Sequence, residues 1–450
     1  MRSVALKEIK SKTKVWEMRI IHLAAELSPY AKVGGLADVV QSLAKECSEL
    51  GHEIEVILPA YPFLKKFPIP SSFKLTLLDV PDRSFERDKI YGYPDDVQRF
   101  ARFSKHAADY LRTKSYDVLH LHDWHTALLA AYLPRSLLTI HNLSYMGVCD
   151  PSLLHELDVA IEDEFRGEEG YSLLRVGIVK SSLLTTVSKT YANEILHPQY
   201  GYSLSDVLKR HQNKLTGIVN GLDMSYWNPA TDPMLEHHYD AVYPEEKQIA
   251  QSHILEKLGL QPTTKPVVAA ITRLVWQKAP YLIAAALEKT VELGGSFILL
   301  GSASDPETEA FFLELQKKYE GSASVFFSLT FDEQLSHQIY AAADLLVVPS
   351  LFEPCGLTQL IAMRYGTLPL VRKTGGLADT VTDGINGFVF EDPSVTAIHA
   401  KLEEAFKLWE HPEEWKKLQS QAFATDVSWK RSAQIYLSLY QRLAQTADSV

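Results

Sequence analysis

The chain has 450 residues, 46% of them hydrophobic, which is enough for about two or three domains with a sizeable core. Its net charge of -11 and the lack of any dense Lys/Arg run exclude nucleic acid or an anionic membrane as the main partner, so positive charge for a phosphate ligand has to be local. Three scattered cysteines, Cys47, Cys149 and Cys355, suit free thiols, and no stretch approaches roughly twenty consecutive apolar residues, so the chain reads as cytoplasmic.

Residues 1–17 are polar, lack an apolar leader core and read as an N-terminal tail; a strand pattern begins at Met18. From there short apolar runs alternate with longer helical stretches, the rhythm of parallel sheets covered by helices on both faces. Predicted strands are 19–24, 53–58, 117–121, 137–140, 183–187 and 217–219, then, after a restart, 266–271, 296–300, 325–329, 345–348, 368–371 and 387–390. The polar, proline-containing stretch Asn228 to Thr264 is placed as the linker, giving domains 18–263 and 264–427. Residues 428–450 close the chain with an amphipathic helix able to cross back onto the first domain through Trp429, Ile435, Tyr436, Leu439 and Tyr440. The fold class is α/β, two doubly wound Rossmann-like domains whose strand carboxyl edges face a shared cleft.

Gly-Gly-Leu-Ala-Asp occurs twice, at Gly34 to Asp38 and at Gly375 to Asp379, each after a strand. Adjacent glycines allow a sharp turn and close approach to a ligand, and a helix starting there directs N–H groups at an anion. Duplication in both halves suggests two glycine loops facing one ligand of diphosphate character. Spacing and composition alone carry the reading to that point.

The segments Lys32 to Asp38, His122-Asp123-Trp124-His125, Thr139 to Leu143, Thr186-Val187-Ser188, Asn220 to Asp223 and Phe352 to Leu360 resemble, in collinear order from Met18 to about Tyr440, the bacterial and plant glycogen/starch synthases. The resemblance implies a two-domain GT-B glycosyltransferase fold that needs no cofactor or metal. It implies transfer of glucose from ADP-glucose, with UDP-glucose second, to the non-reducing end of an α-1,4-glucan such as glycogen, with retention of configuration. Glu353, His141, Arg273 and Lys278 are then the catalytic set. Cleavage at the sugar C1 builds negative charge on the diphosphate, which Arg273, Lys278 and Lys32 would meet, and positive charge on the sugar, which Glu353 would meet. Donor binding falls to Lys32, Gly34, Gly35, Asn142, Phe331, Cys355, Gly356, Leu357, Thr358, Thr374, Gly375 and Gly376. Of these, Thr374, Gly375 and Gly376 would offer N–H groups to the distal phosphate, and Phe331 would either stack on the base or pack in the core. Asp123 and Trp124 would recognise sugar, and Asp38 is either a sugar-binding acid or a first-turn helix residue.

His120 and His122 share one strand face, but no Cys or Glu cluster accompanies them and the nearest acid is adjacent instead of two positions on, so carbohydrate recognition is preferred to zinc. The chain departs from the family pattern at Ala279, where glycine is usual, at Leu351 for arginine, at Phe331 for tyrosine, at Ser172 and Arg175 for asparagine and lysine, and in a short Tyr61 to Tyr91 region. With no second acid of the glycosidase kind in view, a same-face mechanism in which the leaving phosphate helps deprotonate the acceptor is preferred to a covalent intermediate. The alternatives are a glucan phosphorylase and a catalytically silent glucan-binding homologue.

Overall fold

The computed structural model describes residues 17–66, 72–242 and 245–445; all of the expected tail but Glu17 lies outside them. Seven parallel strands form the first sheet in the order Leu215–Gly217, Leu183–Thr186, Leu137–Ile140, Val118–His122, Arg19–Leu23, Glu53–Pro59, Lys74–Leu78. Six form the second, in the order Val325–Ser328, Ser296–Ala303, Val267–Leu274, Leu345–Val348, Leu368–Arg372, Phe388–Phe390, again all parallel. The central strands are buried on both faces: Leu345–Val348 is apolar throughout, while Val118–His122 and Leu137–Ile140 bury His120, His122 and Thr139 among their Val, Leu and Ile residues. In each sheet the chain order reverses beside the first strand, Arg19–Leu23 in one and Val267–Leu274 in the other, the position where such sheets open a crevice at the strand carboxyl ends.

Two local features differ from the sequence expectation. Lys74–Leu78 adds an edge strand; it is largely half-exposed, so its apolar signal is weak. Val148–Cys149, Arg166–Gly167 and Gly170–Ser172 make a small antiparallel sheet whose strands of two or three residues are too short to show a period.

The stretch from Asn228 to Thr264 is not a free connector. Leu235, Tyr239, Ala250, Ile254, Leu255 and Leu260 are buried in the core of the second sheet, and the helix Glu246–Lys257 packs there despite its polar composition. Buried Asp232 accepts hydrogen bonds from Tyr365 and from His337 Nδ1, at 2.5 and 2.7 Å, and ties the stretch down. The helix Trp429–Gln445 packs in the core of the first sheet through Trp429, Tyr436, Leu439 and Tyr440, with Ile435 half-buried. The two chain crossings between the sheets lie side by side, Leu222 N–H donating to Val427 O at 2.7 Å, and a Cβ on Gly221 would come within 2.5 Å of the Trp429 nitrogen. Among the described residues no helix is long and apolar enough to cross a membrane.

Candidate active site

The two glycine loops meet the same segment of chain. A Cβ built on Gly35 would lie 3.8 Å from Leu357 Cδ1, so the first loop faces the Phe352 to Leu360 block of the opposite domain. The second loop presses onto that block from its own domain: a Cβ on Gly375 would fall 1.9 Å from Glu353 O, and one on Gly376 2.1 Å from Cys355 O. Gly375 also has a φ of 44°, so both the backbone shape and the close approach require glycine there. The duplicated pentapeptide therefore has two different local reasons. At Gly34 no protein atom stands within 4 Å of the side-chain direction, whereas at Gly375 and Gly376 the neighbour is the backbone carrying Glu353.

Glu353 is buried and forms an ion pair with Lys278. Ser350 Oγ donates to the same carboxylate oxygen, Oε2, at 2.8 Å. Lys278 follows the strand Val267–Leu274 on a short 3₁₀ turn, and Gln277 braces both segments, accepting from Leu351 N–H at 2.8 Å and donating to Phe352 O at 3.1 Å. Arg372 was not singled out in the sequence. Its buried guanidinium donates to Ser350 O at 2.7 Å and to Leu351 O, holding the chain that presents Glu353. A main-chain clamp of this kind is indifferent to the side chain at 351, so the Leu351 departure leaves it intact.

Several expected donors are already used within the protein. Gly375 N–H and Thr374 Oγ donate to Glu194 Oε1 at 3.1 and 3.0 Å, and Gly376 N–H donates to Glu353 O at 3.0 Å. In this conformation these groups are therefore committed to Glu194 and Glu353 O, in place of the expected distal phosphate. Glu194 ends a first-domain helix, Lys189–Glu194, and Asp379 returns the contact by accepting from the N–H groups of Lys189 and Thr190, at 2.5 and 3.0 Å. The two short helices thus cap one another across the domains. In the first loop Val33 and Gly34 N–H groups donate to Glu26, at 2.7 and 2.9 Å, and Tyr91 donates to its other oxygen at 2.8 Å. Burial pushes the Glu26 carboxyl up, and those N–H groups and Tyr91 offset only part of the rise. Lys32 pairs with Asp38 at 2.9 Å, so Asp38 is a first-turn helix residue that also anchors the loop lysine. Arg273 stays exposed, as does Phe331 at 64%, which rules out the core-packing reading of that ring.

On the sugar side Asp123 differs from expectation. Its carboxylate is buried, accepts from His141 N–H at 2.8 Å and also faces the Asn142 N–H, so it shapes the His141 loop from beneath. Burial raises its pKa to about 7 against those two N–H groups. A backbone φ of 59°, uncommon for a residue with a side chain, turns it there. Trp124 is buried against Phe100 and His125 and lies under Gly147, supporting the wall from within. Asn142 accepts from Ser144 N–H at 2.9 Å, closing its own turn. Among the remaining block residues Cys355 is buried, Gly356 has a φ of 76° over the Gln359 amide, and Leu357 precedes the helix Thr358–Arg364.

The Ser172 and Arg175 departures are absorbed locally. Ser172 Oγ accepts from Arg175 N–H at 3.2 Å, capping the helix Leu173–Lys180, and the Arg175 guanidinium donates to Asp206, to Ser203 O and, through Nε, to Glu164 O. Ala279 sits at φ 50° and ψ 65°, left-handed, where an L side chain costs about 1–2 kcal/mol. Ala279→Gly should therefore raise stability, with the larger unfolded-state entropy of glycine and the lost methyl burial limiting the gain to below about 1 kcal/mol. Urea denaturation of the two proteins measures it.

Residues 19–210 match the family model of the starch synthase catalytic domain, and residues 254–421 that of glycosyl transferases group 1. A glycogen synthase of Protochlamydia amoebophila is 38% identical over 95% of this chain and 99% of its own length. A probable starch synthase 4 of Arabidopsis thaliana is 37% identical over 100% of this chain and 49% of its own length. The catalytic domain of starch synthase IV from Arabidopsis thaliana, solved bound to ADP and acarbose, superposes with a TM-score of 0.88 at 35% identity, covering 95% of this chain and 100% of that one. With both halves matched in order and the Glu353 block set against the first glycine loop, the chain belongs to the glycogen/starch synthase family of glycosyltransferases.

Proposed function

We propose that this chain transfers glucose from ADP-glucose, with UDP-glucose as the poorer donor, to the non-reducing end of an α-1,4-glucan, retaining the α configuration and using no metal ion. The observation that carries this reading is the meeting of Gly35 with Leu357, beside the Lys278–Glu353 pair. Lys32 belongs to the same first-domain loop as Gly35, which supports a role for it opposite the block that presents Glu353. The ADP bound in the starch synthase IV structure supports the choice of donor base.

On donor binding, the diphosphate competes with Glu353 for Lys278 and with Asp38 for Lys32, and exposed Arg273 supplies a third cation. Freed from its ion pair, Glu353 faces the positive charge that develops at C1. The leaving phosphate takes the acceptor hydroxyl proton on the same face of the sugar as the new bond forms. Closure of the cleft keeps water from competing with the acceptor.

The test offers ADP-glucose and UDP-glucose separately with glycogen, with and without a chelator, and follows nucleoside diphosphate release and chain growth. Faster ADP release with matching chain extension, unchanged by the chelator, is expected. Chain growth from glucose 1-phosphate alone, or glucan binding with no turnover of either donor, would overturn the proposal.

A further inference from the structure

Behind His141 two further imidazoles run inward in single file. His141 Nε2 lies 3.0 Å from His122 Nδ1, and His122 Nε2 lies 3.1 Å from His22 Nδ1. His122 and His22 are fully buried, and His22 Nε2, at the inner end, has no hydrogen-bond partner among the described residues. His120 packs at a tilt against His122, with ring centroids 4.1 Å apart, but belongs to a separate network, with Nδ1 2.7 Å from the Tyr440 hydroxyl and Nε2 2.6 Å from Thr139 Oγ1. His22, His120 and His122 bring ring nitrogens within 4.8 Å of one another, a grouping able to attract a metal ion. Hydrogen bonds nevertheless occupy every nitrogen of the three except His22 Nε2, so the cluster is built to pass hydrogen-bond polarity rather than to ligate.

A neutral imidazole carries one N–H, and each contact in the file needs one donor and one acceptor. Only two arrangements satisfy both contacts. In the first, every N–H points outward along the file: His22 Nδ1 donates to His122, His122 Nδ1 donates to His141 Nε2, and His141 keeps its proton on Nδ1. In the second, every N–H points inward, His141 Nδ1 is a bare acceptor, and His22 Nε2 carries a buried N–H with nothing to receive it. An orphaned buried N–H is the rarer and costlier end, while an unshared lone pair is better tolerated. Burial lowers the pKa of His22 and of His141 to about 3 and that of His122 well below its ordinary range, so the file stays neutral.

We propose that His122 is a positioning residue that fixes His141 as the neutral tautomer with its proton on Nδ1, making that nitrogen a standing hydrogen-bond donor to the reacting sugar. The part concerning the sugar rests on the function proposed above; the tautomer does not. It is read directly by long-range nitrogen–proton NMR on the ligand-free protein labelled with ¹⁵N-histidine, the His141 signals being identified by their loss in His141→Gln. The expected result is Nδ1–H for His141 in the wild type. The same is expected in His22→Phe, which only shortens the file and leaves His122 Nε2 as its buried end.

His122→Phe removes the acceptor–donor contact altogether. It should give a mixture of His141 tautomers and lower kcat about ten- to a hundredfold with little change in KM. Nε2–H on wild-type His141, a protonated ring at neutral pH, or an unchanged tautomer in His122→Phe would each overturn the proposal. Loss of glucan synthesis with the Nδ1–H tautomer intact would instead count against the functional reading alone.

Discussion

Glu353→Gln is expected to lower glucose transfer about a hundredfold or more while leaving a folded protein, because the lost charge acts mainly where positive charge builds on the sugar. The amide keeps the shape of the side chain and one acceptor for Ser350 Oγ, and the backbone around it is held independently. Arg372 grips the carbonyls of Ser350 and Leu351, and Gly376 N–H holds Glu353 O. Alanine is a poorer probe at this position and at Lys278. The two side chains pair with little exposure, 7% and 17%, and removing one leaves the other charge unpartnered, a loss of about 3–5 kcal/mol where burial is complete and less here. Lys278→Ala and Glu353→Ala would therefore confound stability with turnover. Steady-state rates with ADP-glucose and glycogen, beside urea denaturation of the same samples, separate the two effects. A folded Glu353→Gln protein turning over within about threefold of wild type would remove the carboxylate from the chemistry, since a preorganised charge of this kind is worth far more.

The fold was legible in the sequence wherever burial was complete on both faces of a strand. Leu345–Val348 is a continuous apolar run and Leu137–Ile140 is interrupted only by Thr139, and the predicted limits of both match the structure. The edge strand Lys74–Leu78 mixes lysine and threonine with leucine and gives no comparable signal. Asn228 to Thr264 shows the limit of composition from the other side. Its polar helix is held by a few apolar contacts, and the stretch before the helix by buried Asp232, whose partners His337 and Tyr365 lie over a hundred residues away. At the site, motifs located Glu353, Lys278 and both glycine loops. Glu194, Asp379 and Arg372 stayed hidden because each acts on backbone groups of a segment well removed in the chain, and Glu26 because it holds the N–H groups of its own neighbouring loop; neither kind of contact leaves a spacing pattern. Asp38 and Asp379 close the two identical pentapeptides, yet one pairs with a loop lysine and the other caps a helix of the opposite domain. Only the tertiary structure distinguishes them.

The protein should lose stability steeply on mild acidification, beginning near pH 6.5, and His125→Phe should flatten that loss. Burial lowers the pKa of His22 to about 3 and those of His120, His122 and His125 well below 6.5, their ordinary value. The sign follows from the proton balance. Above pH 6.5 these rings are neutral folded or unfolded and exact no penalty. As pH falls the unfolded chain takes up protons that the native core refuses, so unfolding gains about 1.4 kcal/mol per pH unit for each such ring. Asp123 acts in the opposite direction: with its pKa raised to about 7, the native state takes up a proton before the unfolded chain does, which offsets one histidine between pH 7 and about 4. Burial also raises Asp344 to about 6 and lifts Glu26 and Glu46, which offset further rings, but His141, His52 and His211 are lowered as well, so the histidines still outnumber the carboxyls. The net loss is about 1–3 kcal/mol per pH unit, a large share within two or three units of a typical domain's stability of about 5–15 kcal/mol. His125 is the ring to remove. It lies among Tyr91, Phe100 and Trp124, its Nδ1 has no partner among the described residues, and phenylalanine fits an aromatic box of that kind. Urea denaturation from about pH 8 to about pH 5 should show His125→Phe gaining on the wild type by about 1.4 kcal/mol for each unit below 6.5. A constant difference across that range would mean that the imidazole accepts its proton inside the fold.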